Sequence, residues 1–269
     1  MNTNKITKTL DQFLIKSFAT IPKKKIGILF SGGVDSSTIA KYSLDLGFNP
    51  SLFTFGTAFS KDYFYAKKLA KDLKLPFRYL ELTQKKIIDS IPNITSLLAK
   101  IGVEPNIMQI SLGMGFYHIA QLAKKEKIDL FLSGQGSDEL FGGYNKYLQL
   151  SSNDLALQMK QDIKNLFKID VVRDAAMTKE FGIDIVFPYL DADFVKYTQN
   201  IPLGLKIHKE ERKIILRELA KQKKLPEYIF RRPKNALQYS SGIQKIVEKY
   251  LKKRSLANSF FHSLLSFFV

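Results

Sequence analysis

The chain has no cysteine, no tryptophan, only three histidines, and 25 acidic residues against 42 basic ones in a length of 269. Without cysteine there is no disulfide, no thiolate metal site and no cysteine nucleophile. His118, His208 and His262 lie far apart in sequence, which disfavours a metal site built on histidine. No apolar run approaches the ~20 residues that a membrane-spanning helix needs. No secretory leader opens the sequence, so the expected compartment is the cytoplasm. The shortage of acids leaves a net charge of +17, a balance that favours polyanions such as ATP, pyrophosphate or RNA. Solvated lysines on helix faces account for the same charge. Lys67, Lys68, Lys71 and Lys74 form one such group and Lys124, Lys125 and Lys127 another, with no RNA-binding motif beside them.

What is present is ample apolar material, 45% of the residues, in a chain long enough for one large α/β domain or one domain with a helical extension. Leu10, Phe13, Leu14 and Phe18 recur at helical spacing, so residues 1–22 read as a helix that Pro22 ends. Strands are expected near 25–30, 52–55, 77–82 and 129–133. Helices are expected near 35–47, 61–73, 83–100 and 108–126. Strands alternating with helices imply a doubly wound, mostly parallel α/β sheet. Beyond residue 150 the pattern reads as almost wholly helical, near 153–168, 170–181, 191–200, 210–224 and 240–253. The expected division is a nucleotide-binding α/β region over 1–150 and a helical region over 151–269 packed on it. The stretch 255–269 carries Phe260, Phe261, Leu264, Leu265, Phe267 and Phe268. It is too short to span a bilayer, and packing on the core or on another subunit competes with an interfacial anchor.

Two glycine-rich loops carry the chemistry. The first runs Phe30-Ser31-Gly32-Gly33-Val34-Asp35-Ser36-Ser37 between an apolar strand and a helix. Glycines let the backbone come close to a ligand. The free N–H groups at the helix start, with hydroxyls on Ser31, Ser36 and Ser37, make an anion site. Asp35, an acid among anion-attracting groups, suits a divalent cation riding on bound phosphates. A tight turn with capping serines uses the same residues. The pattern is not the phosphate loop that ends in Gly-Lys-Ser/Thr. The second loop, Ser133-Gly134-Gln135-Gly136-Ser137-Asp138-Glu139-Leu140-Phe141-Gly142-Gly143-Tyr144, also follows a strand. Asp35 and Asp138 together are a candidate Mg²⁺ pair; the competing reading takes Asp138 as a helix cap and Gly142-Gly143 as a helix break.

The first loop resembles the SGGxDS pyrophosphate loop of the N-type ATP pyrophosphatases, the PP-loop fold of adenine-nucleotide α-hydrolase type. The two loops together resemble the synthetase domain of the asparagine synthetase family, with SGGxDSS followed by SGEGSDExFGGY. Val172-Arg173-Asp174 and the segment Phe181 to Asp191 are similar to the family's R-D and G-L-E-x-R-x-P-F-L-D. Lys213-Ile214-Ile215-Leu216-Arg217-Glu218 is similar to its K-x-x-L-R-E, and Leu225-Pro226 with Arg231-Arg232-Pro233-Lys234 to its L-P-x-x-I-x-x-R-x-K. The resemblance implies an AMP-forming carbon–nitrogen ligase that adenylates a carboxylate, the side chain of aspartate, and transfers ammonia to it. It implies that Ser31, Gly32, Gly33, Asp35, Ser36 and Ser37 hold pyrophosphate, and that Asp35 and Asp138 hold Mg²⁺. Phe30, Phe55, Ser133 and Gly134 then meet the adenosine part of ATP, and Lys213 reaches the phosphates. A solvated lysine in the charge run 209–213 is the alternative for Lys213.

Several residues depart from the family's pattern. Gln135 stands at the glutamate of SGEGSDE, in the catalytic set, and a glutamine takes up no proton. If that glutamate is the family's general base, this chain lacks one or uses Glu139 or water. Asp184 replaces a glutamate, and Val186 an arginine that can clamp a carboxylate with two parallel bonds. The stretch 103–116, with Gly113 and Gly115, also differs. No glutaminase domain and no cysteine nucleophile is expected within the 269 residues, so ammonia comes free or from a separate glutaminase subunit. A homo-oligomer stays open. Two alternatives remain: a tRNA-modifying enzyme on the same loop, and a non-catalytic ATP-binding subunit.

Overall fold

The computed structural model describes residues 3–22, 24–58, 60–232 and 241–253. Its centre is a parallel five-stranded sheet in the order β3-β2-β1-β4-β5. The strands are β1 (Ile26–Leu29), β2 (Ser51–Gly56), β3 (Phe77–Glu81), β4 (Leu130–Ser133) and β5 (Asp184–Val186). The first four fall within a residue or two of the expected positions. The fifth is a correction to the helical pattern read beyond residue 150. Asp184-Ile185-Val186 pairs in parallel with Leu130-Phe131-Leu132 and extends the sheet. A two-stranded antiparallel hairpin, β6 (Ile207–His208) and β7 (Glu211–Arg212), is a second departure.

Alternate residues of each strand enter different cores. Ile26, Ile28, Leu52, Leu130 and Leu132 face a layer that contains α1 (Thr3–Ala19), α2 (Val34–Asp45), α3 (Lys61–Asp72), α9 (Ala192–Gln199) and α10 (Ile214–Gln222). Leu29, Phe53, Phe55 and Phe131 face α4 (Gln84–Lys100), α5 (Ile107–Lys125) and the helix over 243–253. That period of two, with both faces covered, is what a buried parallel sheet requires. Gly115 lets α5 lie close on β2, because a Cβ there would stand 2.1 Å from the Phe55 ring.

The remaining helices are α6 (Ser137–Phe141), α7 (Ser152–Asn165), α8 (Val171–Lys179) and α11 (Glu227–Phe230). A π-helical segment at Leu166–Asp170 joins α7 to α8, so the two expected helices form one continuous run. Arg173 and Asp174 are fully buried on α8. The Arg173 guanidinium donates to Gln109 Oε1 of α5 at 2.5 Å and to Asp170 Oδ1 at 2.7 Å, and its Nε donates to Asp174 Oδ1 at 2.8 Å. These two motif residues therefore join α5 to α8. The tail over 254–269, including the apolar stretch 255–269, and Pro233 and Lys234 of the last motif lie outside the described residues.

The strand order explains where a ligand can sit. From β1 the chain winds outward through β2 to β3, then returns to place β4 on the other side of β1 and continues to β5. The loops after β1 and β4 therefore diverge at the point where the winding reverses, the crevice at strand carboxyl ends where ligands bind such sheets. The register sets Leu29 beside Ser133, which brings both glycine-rich loops to one place.

Candidate active site

The loop after β1 turns at Gly32 and starts α2 from Gly33. Its serines bond within the loop. Ser31 N–H donates to Ser36 Oγ at 3.2 Å, and Gly33 N–H donates to Ser31 Oγ at 3.3 Å. No side chain caps α2, so its first-turn N–H groups are not taken by a cap. Asp35 sits in that first turn. Its backbone carbonyl accepts a bond from the Tyr189 hydroxyl at 3.1 Å, and Tyr189 is fully buried. Ser37 departs from the rest of the loop, for its Oγ is buried in α2 without a hydrogen-bond partner.

The loop after β4 closes against the first. A Cβ on Gly134 would lie 3.0 Å from Asp35 carbonyl carbon and 3.0 Å from Ser36 N, so backbone packs on backbone there. Gln135 is half-buried, and its N–H donates to Ser133 Oγ at 3.3 Å. Glycines at 136 and 142, both at positive φ, bound the short α6, with Asp138 in its first turn. Of the alternative reading, Gly142 does end the helix, but Gly136 and not Asp138 occupies its N-cap.

Lys213 joins the loops. It is fully buried, and its Nζ lies 2.6 Å from Asp35 Oδ1, 2.6 Å from Asp138 Oδ1 and 3.0 Å from Ser137 Oγ. The solvated-lysine alternative does not describe it. Its backbone is left-handed, φ 58° and ψ 32°, at the step from the β6–β7 hairpin into α10. A non-glycine residue in that region costs of order 1–3 kcal/mol and persists only where its surroundings fix it. Arg212 Nη1 donates to Gly143 O at 2.7 Å, and Arg217 Nε donates to Arg212 O at 2.8 Å, which holds the turn. A Cβ on Gly143 would stand 1.8 Å from Asp138 Oδ1 and 2.4 Å from Lys213 Cε, so only glycine leaves room for that ion pair.

Other groups border this centre. Glu139, beside Asp138, is buried and accepts the Tyr144 hydroxyl bond. Burial, then the Asp138 charge, pushes its carboxyl up to about 7 against the pull of Tyr144. Phe30 and Phe55 are buried at the ends of β1 and β2. Phe30 N–H donates to Phe53 O at 2.8 Å and its carbonyl accepts from Thr54 Oγ1. Val186 pairs with Leu132 near the loop end of the sheet and packs into the core. Asp184 lies at the opposite end of β5, exposed, 2.8 Å from Lys179 Nζ and 3.6 Å from Lys24 Nζ. Among the described residues no group of three or more His, Asp or Glu side chains clusters as a metal site. No helix there is long and apolar enough to cross a membrane.

Sequence reasoning gave no role to Ser137, Tyr189, Arg212, Arg217 or Arg232. The available signal was motif membership, which Arg217, Arg232, Ser137 and Tyr189 share. Ser137 lay inside a loop already chosen, and Tyr189 inside the Pro188–Asp191 motif, where nothing but membership pointed to its bond with Asp35.

The family model for asparagine synthase matches the chain over residues 11–161 and over 153–263. The chain belongs to the asparagine synthase family. A relative in Methanocaldococcus jannaschii, named "Putative asparagine synthetase (glutamine-hydrolyzing) 1", is 35% identical over 267 residues, which is 85% of this chain and 48% of that protein. The asparagine synthetase (glutamine-hydrolyzing) of Gallus gallus is 27% identical over 237 residues, 84% of this chain and 41% of its own length. The chain thus spans about half the length of the curated relatives it matches. Among solved structures, the NH3-dependent NAD synthetase of Campylobacter jejuni overlaps with a TM-score of 0.36 and 18% identity, over 67% of this chain and 93% of that one.

Proposed function

We propose that this chain is an ATP-dependent, amide-forming ligase that adenylates a carboxylate, the side chain of aspartate, and transfers ammonia to it. The observation that carries the reading is the convergence of Asp35 and Asp138, from two loops 103 residues apart, on one buried ammonium, that of Lys213. Family membership supports the ligase class. The first-turn N–H groups of α2, with Ser31, Gly32, Gly33 and Ser36, grip the β- and γ-phosphates. Phe30, Phe55, Ser133 and Gly134 border adenosine. Ser37, whose hydroxyl is buried and whose N–H donates to Gly33 O at 3.0 Å, shapes the start of α2 rather than donating to phosphate.

In the first step a carboxylate oxygen attacks the α-phosphorus and the bond to pyrophosphate breaks. In the second, ammonia attacks the acyl carbon, the bond to AMP breaks, and the proton released goes to water or Glu139. Gln135 positions substrate by hydrogen bonds. Lys213 stabilises the charge that builds on departing pyrophosphate, an interaction stronger in the transition state than before it. Two carboxylates whose oxygens meet at one cationic nitrogen fit a hard divalent ion completed by phosphate oxygens and water. Asp35 and Asp138 would hold Mg²⁺, which when bound neutralises phosphate charge. The division at residue 150, a cytoplasmic location and ammonia from a separate glutaminase subunit belong to the same proposal.

The test is pyrophosphate and AMP release across amino acids with ammonium. Release that depends on aspartate and ammonium supports the full reading. Release without aspartate dependence keeps the class and removes aspartate. ATP binding without turnover for any carboxylate removes the enzyme.

A further inference from the structure

Arg232 belongs to a motif that the site above does not use. Its side chain is 5% exposed, lies in the stretch just after α11, and reaches across to the phosphate loop. Nη1 donates to Ser31 O at 3.0 Å. Nη2 donates to Asp62 Oδ1 on α3 at 2.7 Å, where the acid is equally buried. The guanidinium stacks on the Tyr65 ring, 3.9 Å from its centroid. Its own carbonyl is held by Arg217 Nη1 at 3.0 Å. Arg217 also binds Arg212 O, one residue before Lys213.

The loop leans on the same wall. Gly32, at φ +67°, comes so close to α3 that a Cβ would stand 2.6 Å from Ala66 N. In a trans peptide the C=O and the following N–H point in opposite directions, and the described chain contains no cis bond. Holding Ser31 O back toward Arg232 therefore turns Gly32 N–H away from Arg232, toward the side where an anion would sit.

We propose that Arg232 is the positioning residue of the phosphate loop. Clamped by Asp62 and Tyr65, it fixes the Ser31–Gly32 peptide so that its N–H is presented to the pyrophosphate moiety, and through Arg217 it couples that loop to the Lys213 turn. This rests on the nucleotide reading above. Lysine cannot replace it, because the planar fork serves two acceptors and a ring face at once.

The experiment measures binding of ATP, pyrophosphate and AMP to the full chain by calorimetry, for the parent and Arg232→Lys. We expect ATP and pyrophosphate to weaken about tenfold, the scale of one charge-assisted bond, with AMP unchanged. Equal losses for AMP and ATP would mean general damage and overturn the proposal, as would unchanged pyrophosphate binding. Should Arg232→Lys fail to fold, Asp62→Asn keeps the side-chain shape and removes the counter-charge. Weaker pyrophosphate with AMP unchanged supports the clamp there, and parent-like pyrophosphate binding overturns it. A parent that binds no ATP sinks the nucleotide reading and this proposal together. A parent that binds ATP beside an equally competent Arg232→Lys sinks this proposal alone.

Discussion

Replacing Lys213 by methionine keeps most of its volume and removes the one charge between Asp35 and Asp138. Both Oδ1 atoms lie 2.6 Å from Nζ, so they are at most about 5 Å apart. At an effective dielectric of about 20, two unit charges at that distance repel by roughly 3 kcal/mol. The carboxylate side chains are 18% and 17% exposed, so water screens them only in part. For a chain of this length, roughly 3 kcal/mol corresponds to a fall in melting temperature of about 6–12 °C.

The assay is thermal unfolding of parent and variant in EDTA and in excess MgCl2. A divalent cation can take over the lost lysine charge, so Mg²⁺ should raise the variant's melting temperature more than the parent's. Two results would refute the reasoning: equal melting temperatures in EDTA at pH 8, or the same Mg²⁺ increment in both proteins. The first would mean that the acids do not face each other once the lysine is gone. The second would mean that their oxygens do not form a cation site.

Gly143→Ala forces a methyl group into the Asp138–Lys213 contact, so turnover should fall on the order of a hundredfold while circular dichroism stays native, the scale of a misplaced catalytic group; parent-like turnover would show that the contact does not matter. Asp138→Asn should abolish Mg²⁺-dependent pyrophosphate release with the fold kept, and undiminished release would remove Asp138 from the metal pair. Lys213→Met, assayed for turnover and ATP affinity, should lose far more in kcat than in binding, and a loss in ATP affinity alone would argue for ground-state binding. His118, bonded to Ser90 Oγ at 2.7 Å, is drawn down to about 4 by burial, with Lys86 adding to it and Gln121 opposing. A depressed histidine stabilises the fold above its ordinary value of 6.5 and loses that contribution as pH falls toward 4. His118→Gln should therefore flatten the stability profile between those pH values by about 3 kcal/mol, and an unchanged urea-midpoint slope with pH would show that His118 is not the group responsible.

The sequence made the first four strands legible because each is an apolar run bounded by turn residues, with a helix of clear period between neighbours. β5 escaped because three residues, Asp184-Ile185-Val186, show no period of two, and its membership of the sheet is decided only by pairing with β4. The two glycine loops were legible for a local reason, since strand, glycines, acid and helix follow each other in one window. Lys213 was harder. In the run from Lys209 to Lys213 every residue type suits solvent, and what buries the last of them is the left-handed turn out of a two-residue-strand hairpin, a geometry no composition signals. Arg232 is the extreme case, for its partners Ser31 and Asp62 lie 201 and 170 residues away. The site is therefore written twice: locally, as loops whose residue types suit phosphate and metal, and globally, as a strand order that sets β1 beside β4. A mutation that shifts the β1–β4 register by one residue would leave every motif intact and still pull Asp35 away from Asp138, because the convergence belongs to the sheet and not to either loop.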